Sequence, residues 1–279
     1  MPNTASQSVQ PAPGAAPTAT AVGGSGVDVT VLGGPTVVLD IAGLRLLTDP
    51  TFDPPGEYVV GKRSLVKTAP AAWAPGHVGR VAAVLLSHDQ HPDNLDRGGR
   101  SFLASAPLVL TTPAAAGRLG ASAVALAPWA STVLTRPDGG ALRVTTVPAR
   151  HGPAGTEHLT GEVTGFVLTA DDAPTIYVSG DNASLDLVRA IAKRFDRIDI
   201  AVLFAGGAKT ALLGDAHLTL SSAMAARATQ LLGRPRVVAV HTDGWAHFTE
   251  SAATLPAAFA AAGVVDMLVP TMPGVTVRL

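Results

Sequence analysis

Residues 87–96 read SHDQHPDNLD, directly after the apolar run AAVLL. Within nine positions the chain places His88, His91, three aspartates, Gln90 and Asn94. Imidazole nitrogens and carboxylate oxygens are the donors that hold a divalent metal when no thiolate is at hand, and this chain has no cysteine. A polar turn closing a buried strand would use some of the same residues. The rest of the sequence separates the two accounts. VPARHGP, YVSGDN and VAVHTDGWAHF also put His or Asp at the end of an apolar run. A lone histidine after a strand is more often a satisfied polar residue than a ligand. Four of the chain's eight histidines, His88, His91, His151 and His241, nevertheless lie in such loops together with Asp93 and Asp181. Loops at strand ends converge on one rim of a sheet, so a shared metal site is the favoured reading.

The elements that must position these residues are short and rich in β-formers. VDVTVLG, TVVLDIAG, LRLLTDP and VAAVLLSH follow one another from residue 27, separated by Gly and Pro, as a sheet built from hairpins would. LRVTTVPARH, EVTGFVLTA, PTIYVSGD, DIAVLFAGG and RVVAVHTDG are strand-like again. Helical patterns intervene at ASLDLVRAIAKRF, TLSSAMAARATQLLG and ESAATLPAAFAAAG. The first half therefore reads as mostly β and the second as strands mixed with helices, in one layered α/β or α+β domain.

The chain has 279 residues, 47% of them hydrophobic, enough for a sizeable core. A formal net charge of -1 offers no electrostatic footprint for nucleic acid or an anionic membrane. Residues 1–26, rich in Ala, Pro, Ser, Thr and Gly, read as a disordered leader and lack the basic and apolar regions of a secretory signal. No stretch reaches eighteen uninterrupted apolar residues, so no membrane span is expected and a cytoplasmic location is the simplest account.

The order SHDQHPDNLD, ARHG, SGDN, VHTDG resembles the metallo-β-lactamase-fold hydrolase superfamily, whose members carry an HxHxDH motif, then a separate His, a bridging Asp and a last His. The likeness runs over residues 27–279. It is nearest to the branch of L-ascorbate-6-phosphate lactonases and N-acyl-phosphatidylethanolamine phospholipase D type enzymes, where LTDP and SGDT-like strings recur. The resemblance implies a four-layer αββα sandwich. It also implies one metal held by His88, His91 and His151 with Asp181 bridging, and a second held by Asp93, Asp181 and His241. Zn²⁺ suits these donors, Mn²⁺ and Fe²⁺ are not excluded, and the site would hold one or two ions. Such a site activates water against an ester, lactone or phosphodiester.

Two departures from that motif matter. His88 and His91 are three apart, not two, so both reach one metal only if the chain turns between them; an inserted Gln90 accounts for this better than a lost histidine. Asn94 stands where the motif has its third histidine, which weakens the second site and suggests a metal content nearer one than two. If Asn94 points away instead, it could cap the helix that starts near LDRGGR. Asp93 is read as a second-metal ligand or as the catalytic base, and His217, in a string similar to one that faces substrate in related enzymes, as a second catalytic candidate. His217 precedes a helix capped by Thr219 or Ser221. Trp245 and His247 could line the pocket or pack. His77 and His158 read as surface or structural. Lys62, Arg63 and Lys67 could meet an anionic small-molecule substrate, although a solvated loop accounts for them more simply. A rival reading keeps the fold without hydrolysis, as a degenerate metal- or ligand-binding sensor or scaffold, with Asn94 as its support.

Overall fold

Residues Ile200–Phe204, IAVLF, are buried without interruption. Ile200, Val202 and Phe204 enter one hydrophobic cluster, while Ala201 and Leu203 enter another. A strand that is apolar on both faces must be covered on both, which is the demand of a parallel strand inside a layered fold.

The structure, a computed structural model, describes residues 26–279 apart from 62 and 122. The leader expected over 1–26 lies outside the described residues except for Gly26, and so does Lys62. In chain order the strands are β1 (Val27–Gly33), β2 (Thr36–Ile41), β3 (Leu44–Thr48), β4 (Gly56–Val60), β5 (Arg63–Lys67), β6 (Ala83–Leu85), β7 (Val109–Thr111), β8 (Ala123–Ala125), β9 (Ser131–Thr135), β10 (Ala141–Pro148), β11 (Thr164–Ala170), β12 (Ala173–Val178), β13 (Ile200–Phe204), β14 (Arg236–Val240) and β15 (Thr276–Arg278). The helices are α1 (Pro75–Val78), α2 (Arg97–Leu103), α3 (Pro113–Leu119), α4 (Glu157–Thr160), α5 (Leu185–Arg194), α6 (Ser222–Leu231) and α7 (Leu255–Ala261).

One sheet has the order β15-β1-β2-β3-β6-β7-β8 and the other β14-β13-β12-β11-β10-β9, while β4 and β5 form a separate hairpin. Val29, Leu39, Leu46 and Leu85 of the first sheet meet Val144, Phe166, Val202 and Val240 of the second in the central core. On its other face the first sheet presents Val38, Leu47, Val84 and Val109 to Val78 of α1 and to Phe102 and Leu103 of α2. The second sheet presents Val167, Tyr177, Ala201 and Val237 to Val188 and Ile191 of α5, Ala225 of α6 and Phe259 of α7. These four layers are the αββα sandwich. The expectation of a first half built from hairpins holds for the separate β4–β5 pair, and in the first sheet it holds only to β3. From there β3, β6, β7 and β8 pair in parallel. Parallel neighbours need crossovers, and α1, α2 and α3 lie in them.

The local caps explain where helices begin. Ser184 accepts from Leu187 N at the start of α5, with Asp186 in the first turn and Lys193 and Arg194 in the last, as the helix dipole favours. Ser221, not Thr219, caps α6. At α2 the cap is Asp96, whose Oδ1 accepts from Gly99 N (2.7 Å) and Phe52 N (3.0 Å), so Asn94 is not the capping residue. Asp96 Oδ2 accepts from Asp53 N (2.7 Å) and from the Lys67 ammonium (3.1 Å). Lys67 is buried, with Trp245 beneath its ammonium at 5.6 Å, so it belongs neither to a solvated loop nor to an anion-binding patch. Asp96 thereby ties the loop after β3, the β4–β5 hairpin and the loop after β6 into one unit. No helix among the described residues is long and apolar enough to cross a membrane.

Gly99 shows how tight that unit is. An alanine in a helix normally gains about 1 kcal/mol over glycine. A Cβ at Gly99, however, would lie 1.9 Å from the Pro50 carbonyl oxygen, a backbone atom that cannot swing away. Forced overpacking costs about 1–3 kcal/mol or more, so the clash wins. Gly99→Ala is expected to lower the urea midpoint, by about 1–3 kcal/mol of stability; a midpoint at or above that of the parent would contradict this packing.

Candidate metal centre

The strand directions bring the polar loops to one edge. β10 and β12 both run antiparallel to β11 and therefore parallel to each other, and β13 and β14 continue in the same sense as β12. His151 follows β10, Asp181 follows β12 and His241 follows β14, so all three emerge at one end of the second sheet. β3 and β6, parallel in the first sheet, deliver Asp49 and His88.

His88 is fully buried. Ser87 donates from both N and Oγ to Asp49 Oδ1, each at 2.8 Å. Its hydroxyl proton being used there, the Oγ accepts from His88 Nδ1 at 2.9 Å, which leaves the Nε2 of His88 as the lone-pair nitrogen. That Nε2 faces Nδ1 of His91 at 2.9 Å. The backbone bends over 89–91 and then turns, with Asn94 N and Leu95 N both donating to His91 O. The intervening side chains point elsewhere: Asp89 is held by Arg118 at 3.0 and 3.1 Å, and Gln90 rests against Gly161. His91, and not Gln90, therefore meets His88. His151 donates from Nδ1 to Leu218 O at 2.9 Å, and its ring lies 5.4 and 5.1 Å from those of His88 and His91.

Asp181 sits between the two halves of the cluster. Its Oδ2 lies 3.5 Å from His151 Nδ1 and 4.0 Å from His88 Nε2, and its Oδ1 lies 3.7 Å from His241 Nε2. Asn94 Nδ2 donates to Asp181 Oδ1 at 3.1 Å. Asp93 Oδ2 is 3.3 Å from His241 Nε2 and 3.0 Å from His247 Nε2. His241 itself has φ of 57°, a left-handed conformation that a histidine adopts at a cost of about 1–3 kcal/mol. Gly206 accommodates it, since a Cβ there would lie 2.0 Å from the His241 carbonyl oxygen.

The donor atoms of His88, His91 and His151 lie within 4.8 Å of one another, and so do those of Asp93, Asp181 and His241. Burial pushes the imidazole of His88 down to about 3 and, helped by His151, that of His91 down to about 4. They are neutral at physiological pH, the form that binds metal. Burial alone would raise Asp93 and Asp181. The neighbouring imidazoles outweigh it, His247 first for Asp93 and His241 first for Asp181, and hold both carboxyls below their usual range. His241 is lowered by burial but ends above its ordinary value because Asp181 and Asp93 face it. Asp49 goes the other way, raised well above the carboxylate range by burial.

A divalent metal fits this arrangement. Asp93 Oδ1, Asp181 Oδ2 and both ring nitrogens of His241 are buried without a hydrogen-bond partner among the described residues. Each such atom costs about 1–3 kcal/mol if left bare. Cations at the two triads would answer Asp181 Oδ2 and one ring nitrogen of His241, and would offset the charge of Asp93.

Other sequence candidates stand outside the ligand cluster itself. His217 forms a bridge with Lys209, and among the described residues no hydrogen bond, ion pair or ring contact joins its side chain to the cluster. His77 and His158 are exposed. Trp245 is buried against Lys67 and Tyr58. From the sequence His247 is a pocket or packing residue, and Ser87 and Asp49 carry no assignment. The signal for His247 is its place six residues after His241, and for Asp49 it is the LTDP string. A cavity of about 30 Å³ touches His91 and His151 and is rimmed by Leu159, Leu212, Leu213 and Leu218. A larger cavity, near Asp171, Arg197 and Arg236, opens at the opposite ends of the strands.

Residues 44–242 match a family model described as a beta-lactamase superfamily domain. A metal-dependent hydrolase of Pyrococcus horikoshii is 31% identical over 99 residues, 36% of this chain and 40% of that protein. The match thus spans about two fifths of that relative's length. Among solved structures, the isothiocyanate hydrolase from Delia radicum gut bacteria aligns with a TM-score of 0.75 at 23% identity, over 90% of this chain and 98% of that one. A protein described as a possible metal-dependent hydrolase from Veillonella parvula aligns with a TM-score of 0.73 at 17% identity, over 91% of this chain and all of its own, 100%.

The Asp49, Ser87, His88 chain generates a test. Without the Ser87 hydroxyl, His88 loses the bond that fixes its tautomer. Ser87→Ala is expected to weaken divalent-metal affinity about ten- to a hundredfold, read by competition with a chromophoric chelator. Unchanged affinity would show that the chain does not orient His88.

Proposed function

The chain belongs to the beta-lactamase superfamily domain family, and from that premise we propose that it is a metal-dependent hydrolase of a small-molecule substrate, working in the cytoplasm. One observation carries the reading: unpartnered buried donors from separate strand ends converge on one spot. His88, His91 and His151 with Asp181 would hold one ion, and Asp93, Asp181 and His241 a second. Three imidazoles and a carboxylate suit Zn²⁺, and Mn²⁺ or Fe²⁺ accept the same donors. Bound ions of this kind supply Lewis acidity and make water acidic enough to attack at neutral pH.

The protein's own residues do the rest. Asp93, held ionised, is an acceptor, and its free Oδ1 orients the attacking water. Asp181 stands between the two triads and keeps them in register through Asn94. His217 precedes Leu218 of the rim and keeps a buried Nδ1 without a partner among the described residues, which supports a place on the substrate side. The sequence resemblance offers esters, lactones and phosphodiesters. The leucine rim favours an uncharged electrophilic carbon carrying an apolar group over a phosphodiester. Two cations next to site or rim residues in the sequence are already paired, Arg150 with Glu157 at 3.9 Å and Lys209 with Asp215 at 3.6 Å, which agrees with this. The structurally similar isothiocyanate hydrolase is named for a neutral substrate of that kind.

Elemental analysis after supply of Zn²⁺ or Mn²⁺ is expected to find at least one equivalent per chain; less than about a tenth would contradict the metal site. His91→Ala should lower metal affinity by about a hundredfold or more while Gln90→Ala leaves it unchanged, and the reverse ranking would show that the wrong residue faces the metal. The loaded protein should hydrolyse aryl esters, lactones or benzyl isothiocyanate faster than bis(4-nitrophenyl) phosphate. Bound metal with no turnover on any of these would favour the sensor reading that rests on Asn94.

A further inference from the structure

We propose that His247 is the fourth ligand of the second metal position, an assignment that rests on the metal-site reading above and deepens it. Asp93, Asp181 and His241 supply three donors there, and a Zn²⁺ site built from nitrogen and oxygen takes four. Asn94 completes the set poorly: its amide nitrogen donates to Asp181 Oδ1 at 3.1 Å, which makes it a positioning residue for that carboxylate, and its unpartnered amide oxygen is a far weaker donor than an imidazole nitrogen.

His247 completes it. Its Nε2 lies 3.0 Å from Asp93 Oδ2, and His241 Nε2 reaches the same oxygen at 3.3 Å. With metal-to-donor bonds near 2.0–2.1 Å, adjacent donors of a tetrahedral site stand about 3.3 Å apart. The two separations at Asp93 Oδ2, 3.0 Å from His247 and 3.3 Å from His241, match that edge, while the donors already within 4.8 Å of one another are those of Asp93, Asp181 and His241, so His247 joins them through Asp93. Two imidazoles thus converge on one buried carboxylate oxygen, and an ion held by that oxygen would lie within reach of both.

The position of His247 is built, not incidental. After His241 the chain reverses at Gly244, with φ of 78°, and runs beside β5. Thr68 N donates to Gly244 O at 2.8 Å, Ala246 N to Val66 O at 2.9 Å, and Trp245 bridges Lys67. The Trp245 ring is anchored between Tyr58, at 5.7 Å, and the Lys67 ammonium, at 5.6 Å. This added strand turns His247 back over Asp93. Phe248 then packs on both imidazoles, at 4.1 Å from the ring of His241 and 4.6 Å from that of His247. The β4–β5 hairpin, otherwise without a function, becomes the support of a ligand.

The test is a Zn²⁺ titration of the full chain after removal of metal by chelation, followed by calorimetry, with thermal melts of the metal-free forms as the folding control. The parent protein should take up two equivalents. His247→Ala, and the more nearly isosteric His247→Gln, should retain the first equivalent and lose affinity for the second by about a hundredfold or more. Adding Asn94→His to His247→Ala should restore the second equivalent, because an imidazole beside Asp181 supplies the missing donor. If both His247 variants bind two equivalents as tightly as the parent, or if the parent itself binds only one, the assignment is overturned while the first metal position stands. If the parent takes up no metal at all, the metal-site reading falls with it.

Discussion

Five acids lie buried near one edge of this sandwich, and the protein balances only three of them. Asp89 has Arg118 and Arg100. Asp96 has Lys67 and three backbone N–H groups. Asp49 accepts twice from Ser87 and is pushed by burial towards its neutral form. Asp93 and Asp181 have no guanidinium or ammonium within ion-pair distance among the described residues, and each retains an oxygen without a partner. Imidazoles hold both ionised. Buried negative charge on this scale is tolerated only beside a cation, and that constraint is why the pair is ringed by imidazoles, groups that can carry a positive charge, as His241 is pushed to do, or hold a metal.

The scaffold is arranged to meet it. Parallel strands on either side of the central core end at the same edge, so side chains far apart in sequence arrive together. Reaching the common point requires the strained backbone of His241, the close approach of Gly206 and a second left-handed residue, Asp49, with φ of 32°. Strain of about 1–3 kcal/mol at each non-glycine residue persists only where surrounding packing over-determines it. Here the two sheets, the α2 unit tied down by Asp96 and the β4–β5 hairpin provide that packing. The leucine rim beside His91 and His151 then bounds what can approach.

Much of this was legible in the sequence for identifiable reasons. β13 and β14 stood out because doubly covered strands are continuous apolar runs, and α5 because its apolar residues, cap and end charges agree. The convergence of His88, His91, His151, Asp181 and His241 followed from their common place after such runs. Short strands such as β7 and β8, three residues each, carry too few side chains for a period to emerge. α2 was blurred by adjacent glycines, Gly98 against Phe52 and Asp53 and Gly99 against Pro50, that close packing demands. Lys67 read as solvated because nothing local announces a partner 29 residues away. His247 was ambiguous for the same reason: its neighbour Asp93 lies 154 residues earlier.

The most direct measurement of the central claim is anomalous diffraction at the zinc edge from crystals grown with Zn²⁺. The account predicts two peaks at this edge of the sandwich, each about 2.0–2.2 Å from its donor atoms, one among His88, His91, His151 and Asp181 and one among Asp93, Asp181, His241 and His247. A map with no peak near Asp93 and Asp181, or with zinc bound only at surface residues, would contradict it.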